Sequence, residues 1–406
     1  MTKNEIKSHW KYFVIPMIII AAMFSILGFA VGINAFFVPF VKAAFNISTA
    51  MSYLVTTATF SAFVIFGIPS GWILKKVGYK RSMVIAFLLM ALGMLFIVPA
   101  AKWISFPVFL FGLFVNGMGQ TLLNAAVNPY VTILGPQRSA AQRISIMGIC
   151  NKLSFGFAPV LLAIFMDTTN VQLNDAIVPF YVIGFILVSL GVLSYFAPLP
   201  EVKAAGEGEN EKDTTSVYTN SKSSIFQFPH LLLGGLAIFL YVGVENVALT
   251  SINDFAIEIG LPSPEKFAGY TSAAYVIGYL LGIFLIPRVI SQINAMITCT
   301  LIGIGSSLLI VFLPGTISIY FVAALGLANS LIWPAIWPLA LADLGRFTKS
   351  GASLLVMGIA GGGLLPPVLG LLRDYYSSYQ QAYWMLLPVY LYFLFYALSG
   401  YKIRKN

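Results

Sequence analysis

Residues 50–100 read AMSYLVTTATFSAFVIFGIPSGWILKKVGYKRSMVIAFLLMALGMLFIVPA, which are two apolar runs joined by a short basic turn. The runs, 50–74 and 82–100, match the roughly 20 residues that a helix needs to cross the hydrocarbon core of a bilayer. Lysine and arginine side chains are costly in hydrocarbon, so the turn marks one membrane surface. The stretch therefore predicts two membrane-spanning helices connected at that surface.

The same pattern continues along the 406 residues of the chain. The composition is 59% hydrophobic and only 9% charged, whereas soluble domains average about 25% charged residues. A water-soluble fold could not bury this much apolar surface, so we predict an all-α membrane protein with twelve transmembrane helices. The predicted spans are residues 12–40, 50–74, 82–100, 104–134, 140–166, 176–198, 229–257, 267–288, 292–314, 316–342, 350–372 and 379–401.

The positions of the 23 lysines and arginines predict the orientation. With a cytoplasmic N-terminus, most of them fall in inner segments, and the outer loops carry only Lys42, Lys102, Lys266 and Arg373. The positive-inside rule then places both termini in the cytoplasm. It also accounts for the net charge of +9 without a nucleic-acid partner. We expect a monomer in the lipid bilayer of a bacterial cell inner membrane.

One long polar segment divides the predicted helices six and six. Residues 200–228 are rich in Glu, Ser, Thr, Gly and Lys, which is typical of a flexible linker. We predict it in the cytoplasm between an N-terminal bundle, 1–199, and a C-terminal bundle, 229–406. Weak similarities, such as IMGICNK around Gly148 and VMGIAGG around Gly358, recur about 210 residues apart. They favour two pseudo-symmetric six-helix bundles.

The basic turn carries a recognisable motif. It reads Gly71-Trp-Ile-Leu-Lys75-Lys76-Val-Gly78-Tyr-Lys80-Arg81. With the two-bundle plan, this resembles the gating loop of the major facilitator superfamily, and the resemblance implies that fold. Lys75 stands where the motif has an aspartate. The resemblance therefore does not imply the ionic contact that this aspartate makes with a neighbouring helix. The alternative explanation of the motif is that its basic residues only anchor a short cytoplasmic turn.

Five further stretches resemble the fucose:proton symporter family, and most of all its glucose/galactose permease branch. This resemblance implies cation-coupled uptake of a monosaccharide by alternating access, with no cofactor other than a coupling proton or sodium ion. The stretches are VPFVKAAFNIS (38–48), TLLNAAVNPYVTILGP (121–136), RISIMGICNKLSFG (143–156), ANSLIWPAIWPLAL (328–341) and VMGIAGGGLLPPVLG (356–370).

Polar and aromatic residues inside the spans are the candidate sugar-binding groups. A sugar needs hydrogen-bonding amides for its hydroxyls and aromatic rings for its C–H faces. Asn124 and Asn128 share one helix face, and Trp333 is the candidate stacking platform. The alternatives are interhelical hydrogen bonds for the amides and packing for the tryptophans. The predicted set is Asn34, Gln120, Asn124, Asn128, Asn151, Asn246, Asn329, Trp333 and Trp337.

Two opposite charges lie deep in predicted spans, Lys152 in the fifth and Glu245 in the seventh. Charged groups at membrane depth usually pair or do transport work, so we predict a functional charge pair, with a purely structural pair as the alternative. Proton-coupled fucose permeases carry acidic residues at the places of Ala35 and Asn124, so this chain lacks both of those acids. Coupling could therefore run through Glu245, could use sodium, or could be absent.

The prediction is a transporter that imports a hexose such as glucose, galactose, fucose or N-acetylhexosamine. The alternatives within transport are an uncoupled facilitator and an exporter of drugs or metabolites with the same fold. We do not expect an enzyme or a metal site, because His9 and His230 lie near helix ends and no nucleophile–base pair stands out. A sensor would need a soluble output domain, and the sequence suggests none.

Overall fold

The computed structural model describes residues 10–47, 49–52, 54–165, 177–204 and 218–403. These residues form helices and connecting turns, with no strand among them. The predicted all-α class is therefore confirmed. The helices are α1 (Ile15–Ala44), α2 (Thr49–Ser52), α3 (Leu54–Ile65), α4 (Gly67–Lys102), α5 (Phe106–Ile133), α6 (Ala140–Phe165), α7 (Ile177–Phe196), α8 (Pro229–Glu258), α9 (Phe267–Leu285), α10 (Gln292–Phe312), α11 (Gly315–Ser330), α12 (Ile332–Ala340), α13 (Thr348–Met357), α14 (Gly361–Tyr376), α15 (Tyr379–Ala382) and α16 (Leu386–Leu398).

Within the described residues, ten helical stretches are long and apolar enough to cross a membrane. The predicted second and third spans meet inside one 36-residue helix, α4, while α3 has only 12 residues. Their junction is Gly78, whose φ of 82° and ψ of 178° interrupt the helical path. Glycine adopts this positive φ at no steric cost. The chain therefore turns within the basic segment, where the sequence predicts a turn.

The predicted tenth span is broken between α11 and α12. Leu331, with φ of −102° and ψ of 1°, separates the two helices. Pro334 has no N–H to donate to the carbonyl of Ser330, four residues earlier, so one helical hydrogen bond is lost at the break. Pro334 thus accompanies the interruption of this span, whereas Pro338 lies inside α12.

The predicted eleventh span is also interrupted, by a turn of 3₁₀ helix at Gly358–Ala360 between α13 and α14. This turn packs tightly on α8, since a Cβ placed on Gly358 would lie 2.8 Å from the carbonyl oxygen of Gly235. Glycine permits such a close approach of two helices. The glycine-rich segment is therefore a close-packing segment.

The chain forms two compact units. One contains the chain up to Leu134 with Cys150–Lys203 and Ala352–Met357, and the other contains Gly135–Ile149, Ala204–Gly351 and Gly358–Asn406. In the first unit, Ser353 donates its hydroxyl to the carbonyl of Gly67. In the second unit, Gln142 Nε2 donates to the carbonyl oxygen of Ile283 at 2.7 Å. Each unit thus joins most of one sequence half to a short segment of the other half.

Candidate functional site

The first unit carries a ladder of side-chain amides along α5. Asn116, Gln120, Asn124 and Asn128 are four residues apart and therefore share one helix face. Gln120 Nε2 donates to Asn116 Oδ1 at 2.7 Å, and Asn128 Nδ2 donates to Asn124 Oδ1 at 3.2 Å. Asn124 Nδ2 donates to the carbonyl oxygen of Gln120 at 3.0 Å. The structure therefore brings three of the predicted amides together in one stripe.

Two oxygens of this ladder have no hydrogen-bond donor among the described residues. They are Gln120 Oε1 and Asn128 Oδ1, and both side chains are buried. A buried polar atom left unpaired costs about 1–3 kcal/mol. The stripe is therefore suited to a ligand that offers hydroxyl donors.

The other predicted groups of the first unit lie on α6 and α1. Asn151 is half-buried, and its Nδ2 donates to the carbonyl oxygen of Phe24 on α1 at 3.2 Å. Lys152 is also half-buried, with its Nζ 5.9 Å from the centroid of the Phe155 ring. Asn34 belongs to α1, but its side chain lies outside the part of the chain that is described.

The second unit carries a cluster of aromatic rings. The ring centroids of Tyr241 and Trp333 are 5.6 Å apart, and those of Trp333 and Trp337 are 5.5 Å apart. Trp333 is half-buried, whereas Trp337 is fully buried. Trp337 Nε1 has no acceptor among the described residues. The three rings form an aromatic surface. The apolar face of a pyranose ring packs against surfaces of this kind.

Glu245 on α8 is attached to this aromatic cluster. Tyr241 lies one helical turn earlier and donates its hydroxyl to Glu245 Oε1 at 2.9 Å. Glu245 is half-buried, and its neighbour Asn246 donates Nδ2 to the carbonyl oxygen of Val242 at 2.8 Å. The aromatic surface and a carboxylate are thus part of one hydrogen-bonded group.

Asn329, the last predicted amide, is buried near the end of α11. Its Oδ1 accepts a hydrogen bond from Tyr390 Oη on α16 at 2.8 Å. Its Nδ2 has no acceptor within the described ranges. The tyrosine therefore holds the amide with its nitrogen available to an acceptor.

The basic turn around Gly78, which the sequence predicts as a gating loop, is held by an acid from elsewhere in the chain. Glu201, after α7, accepts the backbone N–H of Tyr79 on Oε1 at 2.8 Å. A Cβ on Gly78 would lie 2.5 Å from the same oxygen, so glycine is required for this contact. Tyr130 Oη donates to the carbonyl oxygen of Pro200 at 2.8 Å. A carboxylate at the start of a helical segment is electrostatically favourable. Glu201 thus places a negative charge at this turn, where the aspartate of the motif is replaced by Lys75.

Four residues of these groups are absent from the sequence-based set: Asn116, Tyr241, Tyr390 and Glu201. Asn116 and Tyr241 carried a signal, because each lies four residues before a predicted polar residue on the same helix. Tyr390 and Glu201 act on residues 61 and 122 positions away, a separation that helical periodicity does not reveal.

Comparisons with known proteins identify the family of the chain. The family model described as Major Facilitator Superfamily matches residues 18–363. A glucose/galactose transporter of Brucella abortus is 29% identical over 394 residues, covering 94% of this chain and 92% of that protein. An L-fucose-proton symporter of Escherichia coli is 25% identical over 390 residues, covering 89% of this chain and 87% of that protein.

Solved structures show the same fold. The crystal structure of FucP in the outward conformation has a TM-score of 0.82 at 23% identity, covering 96% of this chain and 99% of that one. The proton:xylose symporter XylE has a TM-score of 0.76 at 14% identity, covering 95% of each chain.

Proposed function

Because the chain belongs to the major facilitator superfamily, we propose that it imports a monosaccharide together with a proton by alternating access. Glucose and galactose are the first candidate substrates, since the relatives that carry those names match the chain over nearly its whole length. Fucose is the next candidate, on the basis of the fucose symporters that also match.

The observation that carries the proposal is the amide ladder of α5 with its two unpaired buried oxygens. A sugar offers many hydroxyl donors, whereas an apolar drug would leave these oxygens unsatisfied at a cost of about 1–3 kcal/mol each. In the second unit, the aromatic surface of Tyr241, Trp333 and Trp337 has the chemistry that the apolar face of a sugar needs. This chemistry favours a sugar over a drug-like substrate.

Glu245 is the proposed coupling group. It is the acid that lies deep in a predicted span, and its contact with Tyr241 connects it to the aromatic surface. A proton is favoured over sodium because two matching relatives are named L-fucose-proton symporters. The runner-up is an uncoupled facilitator, which would need no titrating carboxylate. Lys152 as the functional partner of Glu245 belongs to the same proposal.

We also propose twelve transmembrane helices with both termini in the cytoplasm of a bacterial cell. The count rests on the ten apolar stretches, on α6, and on the division of α4 at Gly78, which joins its first part to α3. The basic residues around Gly78 and Arg138 support a cytoplasmic location for those turns. The bundle boundaries at 199 and 229 and a monomer in the inner membrane are part of this proposal.

Counterflow in proteoliposomes tests the substrate. Vesicles loaded with unlabelled D-glucose, D-galactose or L-fucose are diluted into the labelled sugar, with an apolar drug as the comparison solute. We expect transient accumulation of at least one hexose and none of the drug. Counterflow of the drug without that of any hexose would favour the exporter instead.

Trp333→Ala should weaken sugar binding several-fold, up to about tenfold, because aromatic contacts of this kind contribute roughly 0.5–1.5 kcal/mol beyond simple burial. The change removes the ring between Tyr241 and Trp337. Isothermal titration of the purified variant measures the affinity. Trp103→Ala is the control, since Trp103 is 71% exposed beyond the end of α4. An unchanged affinity in Trp333→Ala would assign this tryptophan to packing.

Asn124→Ala should weaken sugar binding roughly tenfold or more, since an amide needed by a buried hydroxyl contributes about 1–3 kcal/mol. Asn124 is the half-buried member of the amide ladder, and its neighbours on either side are buried. Equilibrium binding on the purified variant checks the effect, with the exposed amide variant Asn294→Ala as control. A sugar-bound structure with Asn124 turned toward lipid would contradict the assignment.

A further inference from the structure

Close packing of α4 against α5 brings Asn116 to the backbone of α4. A Cβ on Gly119 would lie 2.6 Å from both the backbone nitrogen of Met90 and the carbonyl oxygen of Ala86. Glycines at such crossings let two helix backbones approach. As a result, Asn116 Nδ2 donates to the carbonyl oxygen of Met90 at 3.0 Å, and its side chain is buried.

That carbonyl fixes the direction of the hydrogen bonds that follow. A carbonyl can only accept, so the NH₂ group of Asn116 must face Met90. Asn116 Oδ1 then faces α5 and accepts from Gln120 Nε2 at 2.7 Å. The oxygen and nitrogen of an amide are told apart by their hydrogen-bond partners, and here both amides are oriented by one backbone group. Gln120 Oε1 is consequently turned away from Asn116.

The Asn116–Gln120 relay ends in a buried acceptor, Gln120 Oε1. Gln120 is 1% exposed, and its Oε1 has no donor among the residues described. It lies one helical turn before Asn124, on the face that carries the half-buried amide of the ladder. An oxygen held in this way can pair only with a hydrogen-bond donor.

We propose that Asn116 is a positioning residue that sets the specificity of the site, by making Gln120 an obligate acceptor toward one substrate hydroxyl. The inference rests on the proposed function, since it needs a hydroxyl-bearing substrate. Asn116 acts through Gln120 and does not itself touch the substrate. Without Asn116, Gln120 could rotate its amide and offer either its oxygen or its NH₂ group.

Fluorinated sugars distinguish a fixed Gln120 amide from one that can rotate, because fluorine can accept a weak hydrogen bond but cannot donate one. The probes are D-glucose, D-galactose and their monodeoxy and monofluoro analogues at each ring position. In the wild type, fluorine at one position should weaken binding about tenfold, as much as removing that hydroxyl. In Asn116→Leu, the hydroxyl-to-fluorine affinity ratio at that position should fall to about twofold, and the ratios elsewhere should be unchanged.

Two further variants keep the test decisive. Gln120→Met lacks the amide and should lose the preference at the same ring position, and adding Asn116→Leu to it should change nothing more. Thr121→Val is the control, because the Thr121 hydroxyl donates to the carbonyl oxygen of Gly117 in its own helix. Its ratios should match the wild type.

Three results would overturn the inference. One is an unchanged hydroxyl-to-fluorine ratio in Asn116→Leu. Another is uniform weakening at all ring positions, which is the signature of a structural role. If Asn116→Leu does not fold, wild-type ratios in Gln120→Met overturn it as well. A wild-type protein that binds none of the hexoses would instead remove the proposed function, and this inference with it.

Discussion

Glu245→Gln should abolish gradient-driven accumulation of sugar while sugar exchange continues. Glutamine keeps the size of the side chain and can still accept the hydroxyl of Tyr241, whose bond to Glu245 Oε1 is 2.9 Å. It cannot take up and release a proton in the transport cycle. Exchange needs the sugar site but no net movement of the cation, so it should survive. Parallel assays of active uptake and counterflow in proteoliposomes measure the two activities.

The matched control is Glu258→Gln. Glu258 pairs with Arg373, with 3.3 Å between its Oε2 and Arg373 Nε, in an exposed cluster at the end of α8. That variant should accumulate sugar normally. Lys152→Ala should change the dependence of uptake on the cation gradient, because Lys152 is the proposed functional partner of Glu245. If Glu245→Gln concentrates sugar like the wild type, coupling lies elsewhere or does not exist.

Gly148→Trp should reduce both uptake and counterflow about tenfold to a hundredfold. In the second unit, a Cβ on Gly148 would lie 2.6 Å from Cζ of Tyr279 on α9. The same two helices are also joined by the hydrogen bond from Gln142 Nε2 to the carbonyl oxygen of Ile283 at 2.7 Å. An indole cannot fit there, and over-packing costs about 1–3 kcal/mol or more. If α6 and α9 have to meet in this way in every transport cycle, the variant slows uptake and counterflow alike.

The control for this prediction lies on the same helix. Gly156→Trp introduces the same side chain where no atom of the described residues lies within 4 Å of an added Cβ, so transport should be close to that of the wild type. Thermal unfolding in detergent shows whether both variants are folded. Normal uptake by Gly148→Trp would mean that this packing is not part of the cycle.

The sequence was sufficient for the features that depend on local pattern. Apolar runs of membrane length and the turn at Gly78 follow from composition and backbone chemistry. The amides of α5 could also be assigned to one face, because Asn124 and Asn128 are one turn apart.

Features that depend on long-range packing could not be read in this way. The bond from Glu201 to Tyr79 joins residues 122 positions apart, and the one from Tyr390 to Asn329 joins residues 61 apart. The direction of the Asn116–Gln120 relay depends on which carbonyl of α4 lies opposite Asn116. That is decided by the crossing of two helices, and no sequence period encodes it.

The most direct test of the central claim is uptake of D-glucose and D-galactose into proteoliposomes with proton and sodium gradients imposed separately. We predict accumulation above the external concentration when the lumen is alkaline relative to the outside, with loss of accumulation on adding a protonophore. A sodium gradient alone should have no effect. Accumulation driven by sodium and insensitive to the protonophore, or mere equilibration under both gradients, would contradict proton-coupled import.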